Sequence, residues 1–76
     1  MKDLIEFIAR SLVDDPEAVR VEEERRGDTV VFHLYVADDD MGRVIGKEGR
    51  IANAIRTMLK VAATRNGVRA SLEIGH

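Results

Sequence analysis

The order of residue patterns predicts an α+β fold of two layers, helices covering one face of a three-stranded sheet, in the sequence helix, strand, strand, helix, helix, strand. Three observations carry that expectation. Two stretches repeat apolar residues every three or four positions, three stretches alternate apolar and polar residues, and glycine with aspartate or asparagine separates them at the expected places.

Leu4, Ile5, Ile8, Leu12 and Val13 share helical spacing, so residues 2–13 read as an amphipathic helix with one buried stripe, ended by Asp14-Asp15-Pro16. Val19 to Arg25 begins by alternating and turns polar, which suits an edge strand lying largely in water. Arg26-Gly27-Asp28 supplies a turn. Thr29 to Val36 is the strongest strand, with Val30, Phe32, Leu34 and Val36 on one face and Val31, His33 and Tyr35 on the other.

Asp38-Asp39-Asp40 precedes a short helix, Met41 to Ile45, and reads as its amino-terminal cap. As a cation loop it lacks the EF-hand spacing and glycine. Gly46 stops the short helix. From Arg50 a long helix resumes, with Ile51, Ile55, Met58, Leu59 and Ala62 on its apolar stripe and Asn66-Gly67 as its stop. Val68 to Ile74 closes the chain as a strand whose Val68, Ala70, Leu72 and Ile74 face inward. There is no internal repeat or linker, so residues 1–76 are expected to form one domain.

At 45% hydrophobic and 34% charged residues, the chain is too apolar for a disordered segment and too charged for a membrane span. Met1-Lys2-Asp3-Leu4 does not resemble a signal peptide, and the expected location is the cytoplasm. The absence of cysteine excludes disulfides and thiolate metal sites. His33 has no second histidine near it in sequence, His76 is terminal, and Ser11 and Ser71 lie inside regular elements. No catalytic set, metal site or cofactor is expected, and the chain reads as a non-enzyme.

Net charge is −2 at neutral pH, but its distribution is lopsided. Residues 1–40 carry five basic side chains against twelve acidic ones, whereas residues 41–76 carry seven (Arg43, Lys47, Arg50, Arg56, Lys60, Arg65, Arg69) against Glu48 and Glu73. An acidic chain of this kind still presents a basic region to a polyanion. The basic half also holds Gly46-Lys47-Glu48-Gly49 between two helices. Two glycines three apart are a weak signal alone. In this position they frame a turn that a sugar-phosphate chain can approach closely, with amides of the following helix start and the charges of Lys47 and Arg50 beside it.

The run Val44-Ile45-Gly46-Lys47-Glu48-Gly49-Arg50, followed by Ile51 and Ile55, resembles the signature of KH domains. The element order resembles the type II KH fold, and the stretch from Asp40-Met41-Gly42-Arg43 to Ile55-Arg56-Thr57 is similar to the small single-domain bacterial KH proteins of the KhpA family. The resemblance implies an RNA-binding module that holds about four unpaired nucleotides. It implies an RNA-contacting set of Arg43, Ile45, Gly46, Lys47, Glu48, Gly49, Arg50, Ile51, Ile55 and Arg56. Gly46 and Gly49 would shape the loop, Lys47, Arg50 and Arg43 would meet phosphate, and Ile45, Ile51 and Ile55 would floor the groove. Ala52 stands where KH domains often carry a large aliphatic residue, so either Ile51 or the Ala52 face lines it. Glu48 weakens the positive field and implies modest affinity. Implied partners are single-stranded RNA, a second copy of the chain, and a larger KH protein of the Jag type. The implied role is post-transcriptional or RNA-chaperone-type regulation touching growth, division or cell shape.

A competing expectation is a protein-interaction module whose dimerisation is primary and whose RNA contact is incidental, consistent with Glu48 and the acidic first half. A DNA-binding helix-turn-helix is disfavoured, because Met41 to Ile45 is a single turn and three strands surround it. The scarcity of aromatics, Phe7, Phe32 and Tyr35 alone, counts against an RRM or an aromatic stacking platform.

Overall fold

The computed structural model describes residues 1–75, residues 43, 45–48 and 50 excepted. Helix α1 (Lys2–Leu12) leads through a 3-10 turn at Pro16–Ala18 into strands β1 (Arg20–Arg26) and β2 (Thr29–Tyr35). The helical region α2 (Asp38–Arg65) and strand β3 (Arg69–Gly75) follow. Gly49 has a φ of 65°, far from the helical value, and divides α2 into a shorter leading and a longer following segment. The order is therefore αββααβ, as the sequence and the type II KH resemblance predict.

β2 is the central strand of a mixed sheet ordered β1-β2-β3. β1 pairs antiparallel with it from Arg20↔Tyr35 to Arg26↔Thr29, closed by a tight turn in which Gly27 has a φ of 65°. β3 pairs parallel with it from Thr29↔Arg69 to Tyr35↔Gly75. A parallel neighbour needs a long crossover, and α2 provides it. The central place explains why β2 has the strongest alternation: Val30, Phe32 and Leu34 face the helices, and Phe32 and Leu34 are wholly buried.

Ile5 and Ala9 from α1, Val21 from β1, Val44, Ala52, Ile55 and Leu59 from α2, and Leu72 from β3 complete the core on that one face. Burying each of the larger aliphatic side chains is worth about 1.5–3 kcal/mol. Glu23 and Arg25 lie on the same side of β1 as Val21 yet are exposed, while their partners Phe32 and Val30 on the central strand are buried, so this part of the edge strand is left in water. That is the partly solvated edge strand expected.

Three details of the expected packing change. Leu12 is 43% exposed because the helix ends there, while Val13 leaves it in extended conformation and packs against the core. The buried stripe of the long segment is Ala52, Ile55, Leu59 and Ala63, a rotation that leaves Met58 46% exposed. The aspartate triplet does not cap α2: Ala37 is the cap residue, with no side-chain bond, and the aspartates occupy the first turn, where they complement the helix dipole. The expected stop at Asn66-Gly67 is present in full. Gly67 has a φ of 69°, its amide donates to Thr64, and Val68 donates to Ala63, the paired bonds of a Schellman ending.

Candidate nucleic-acid interface

Described residues on either side of positions 45–48 are held in the core. Val44, before these positions, is 1% exposed, and Ala52 and Ile55, after them, are 3% and 1% exposed. Gly49 between Val44 and Ala52 takes a left-handed backbone that other residues adopt only with strain, while among the described residues a Cβ there would meet nothing closer than Asn53 Nδ2 at 3.9 Å. The glycine is thus required by backbone conformation and not by crowding.

Of the ten site residues expected from sequence, Arg43, Ile45, Gly46, Lys47, Glu48 and Arg50 lie outside the described residues. The other four divide by burial. Ile55 belongs to the core. Ile51 is half-buried against that core and reaches the surface, whereas Ala52 is buried, which separates the two faces that sequence left open. Arg56 is exposed, and its Nη1 donates to Asn53 Oδ1 at 3.5 Å.

Arg56 also begins a feature that sequence reasoning missed. It lies seven residues beyond Gly49, about 10 Å of helix, at a groove of about 510 Å³ between α2 and β3. Leu59, Ala63, Val68, Ala70 and Leu72 form apolar lining, and Arg56, Lys60 and Arg69 bring positive charge to its walls. β3 is also an outer strand of the sheet, pairing only with β2. A shallow apolar channel with cations along it suits a single strand, whose bases need apolar contact and whose phosphates need positive charge. Lys60 and Arg69 were visible in sequence only as members of the basic half. Their convergence depends on β3 returning alongside α2.

The opposite face of the sheet carries a charged array instead. Arg26 donates from Nε and Nη2 to the two carboxylate oxygens of Glu24, at 3.0 and 3.2 Å. Glu24 Oε2 lies 3.2 Å from His33 Nε2, and His33 Nδ1 lies 3.3 Å from Glu73 Oε2. The hydrogen bond from Arg26, and then that with His33, hold the Glu24 carboxyl below its ordinary range. Arg20 stacks its guanidinium 4.5 Å from the Tyr35 ring centre. Among the described residues no group of three histidine, cysteine or acidic side chains could hold a metal ion, and no helix is long and apolar enough to cross a membrane.

The element order and the mixed three-stranded sheet define a KH domain of the type II arrangement. The chain matches the family described as KhpA/KhpB, KH domain, over residues 2–74, and it belongs to that family. It is 50% identical over 74 residues to the RNA-binding protein KhpA of Chlamydia pneumoniae, covering 97% of this chain and 95% of that one. It is 51% identical to the RNA-binding protein KhpA of Clostridium acetobutylicum and 50% identical to that of Clostridium perfringens, covering 97% of this chain and 99% of each relative. The family is non-enzymatic, and so is the chain.

Proposed function

We propose that the chain binds single-stranded RNA, with the sugar-phosphate backbone at the Gly46-Lys47-Glu48-Gly49 turn and the bases laid along the groove between α2 and β3. The observation that carries this reading is the groove itself, apolar within and bordered by Arg56, Lys60 and Arg69, beginning about two helical turns beyond Gly49. The relatives named as RNA-binding proteins support it. Lys47, Arg50 and Arg43 add charge at the turn, Gly46 and Gly49 leave room for the backbone, Ile45 and Ile51 supply aliphatic surface, and Glu48 moderates affinity. About four nucleotides fit one domain of this class. The role would be post-transcriptional or RNA-chaperone-type regulation in the cytoplasm.

Fluorescence anisotropy with short single-stranded RNA, duplex RNA and single-stranded DNA at two salt concentrations tests this. Salt-sensitive binding to unpaired strands, lost in a folded Lys47→Asp, Glu48→Asp double variant, is expected. Retained binding in that variant sinks the assignment of the turn.

A second reading concerns association, and exposed apolar side chains favour it. Leu4 lines a shallow depression with Met58, Val61 and Ala62, and Phe7, one turn beyond Leu4 on α1, is 71% exposed. In this reading that surface pairs with a second copy or with a larger KH protein of the Jag type. Two linked domains would then engage one RNA with higher avidity than either alone. Sedimentation that finds a monomer at high concentration would remove the self-association half of the reading.

A further inference from the structure

Asp40 is the only buried polar or charged side chain among the described residues, at 1% exposure. Each of its two carboxylate oxygens reaches across to a distant part of the chain. Oδ1 accepts from the Asp14 amide at 3.0 Å and Oδ2 from the Asp15 amide at 3.1 Å, bridging 26 and 25 residues of chain. A carboxylate is costly to bury unless its oxygens are satisfied, and here two consecutive amides beyond the end of α1 satisfy both. Asp40 sits in the first turn of α2, one turn before the core residue Val44. The leading segment of α2 is therefore tied at its start by Asp40, held in the core by Val44, and released into the left-handed backbone at Gly49.

We propose that Asp40 is a positioning residue for the turn: by clamping the loop after α1, it fixes the angle at which the leading segment of α2 delivers Gly46 to Gly49 to a bound backbone. The proposal deepens the RNA reading and rests on it. The physical basis is directionality. Among the described residues between Ala37 and Gly49, Val44 is buried and Met41 packs partly buried against the core, and such non-directional apolar contacts fix an orientation less firmly than hydrogen bonds do. The pair of charge-assisted bonds adds a directional attachment to those apolar contacts, and together they set an orientation. Asp40 is buried and does not touch RNA, so its effect must pass through the segment that it holds.

The test compares wild type with Asp40→Ala and with Asp40→Asn, which keeps one acceptor oxygen, at a temperature where circular dichroism finds all three folded. Two readouts are taken: affinity for single-stranded RNA across a salt series, and hydrogen exchange at Met41, Gly42, Val44 and Gly49 against Phe32 and Leu72. The expected result is faster exchange at the first set alone, and affinity lower by about fivefold in Asp40→Ala. The salt slope should be unchanged, because every phosphate-binding cation is kept, and Asp40→Asn should fall between. Unchanged exchange at the first set, or acceleration equal at Phe32 and Leu72, overturns the proposal, as does unchanged affinity in variants whose wild type binds. If wild type binds no RNA, the RNA reading fails by itself. The exchange data then decide whether Asp40 holds the segment, local acceleration supporting the clamp and none overturning it.

Discussion

Arg56 and Arg69 stand on two walls of one groove, the first carried by α2 and the second by the opening residue of β3. They are thirteen positions apart in sequence and meet only because β3 runs parallel to β2 after the crossover. If this groove carries RNA, replacing Arg56, Lys60 or Arg69 singly by glutamate should weaken binding to every single-stranded sequence by a similar factor. Removing one phosphate-binding cation should flatten the plot of log affinity against log salt by about 0.7. Anisotropy titrations at three salt concentrations check both, and a variant that changes sequence preference without changing the slope would place that residue on a base.

Gly49→Ala should destabilise the fold by about 1–2 kcal/mol, the cost of a left-handed backbone for a residue with a Cβ. Among the described residues the Cβ meets nothing closer than 3.9 Å, so the expected cost is conformational and not steric. Gly49→Asn, which tolerates that region better, should cost less. Chemical denaturation of the two variants gives the difference directly, and equal losses would contradict the conformational account.

Ile55→Val should cost about 0.5–1.5 kcal/mol and Ile55→Ala about 2–5 kcal/mol, the range for a buried side chain in a packed core. Ile55 is 1% exposed, so affinity measured on the folded fraction of Ile55→Val should equal that of wild type. Ile51→Ala should show the opposite balance, with a smaller stability loss and weaker RNA binding. Urea denaturation paired with RNA titration separates the two residues.

The Glu24 carboxyl is held below its ordinary value of 4.5 by Arg26 and then His33. A carboxyl with a lowered folded-state value stabilises the fold above its unfolded value, and the contribution disappears as pH falls through the folded one. Wild type should therefore lose more stability than Arg26→Gln between pH 6 and pH 3, pH values chosen to bracket the carboxyl range. Added salt should shrink the difference, because the pair is exposed. Urea unfolding at several pH values measures it.

Phe7→Ser combined with Met58→Glu should cost little thermal stability, since Phe7 is 71% and Met58 46% exposed. If their surface joins two copies, sedimentation should move towards the monomer while the RNA affinity of each domain is kept. Avidity for a longer RNA should then drop.

Much of the fold was legible because the backbone pattern and the side-chain pattern agree. Thr29 to Tyr35 alternates as a strand must, Lys2 to Leu12 repeats as a helix must, and Asn66-Gly67 ends a helix by a local bond pattern that needs no distant partner. The break at Gly49 was legible for the same reason: its positive φ is a demand made by one residue on itself. Tertiary structure alone decided what depends on rotation and return. The helical stripe turned far enough to bury Ala63 and expose Met58, a difference smaller than helical spacing can resolve. Asp40 looked like a cap in sequence because aspartate before a helix usually bonds nearby amides. Only the path of the chain after α1 placed the Asp14 and Asp15 amides within its reach. The groove with Lys60 and Arg69 was likewise invisible in one dimension, since two walls become a channel only when the sheet brings them together.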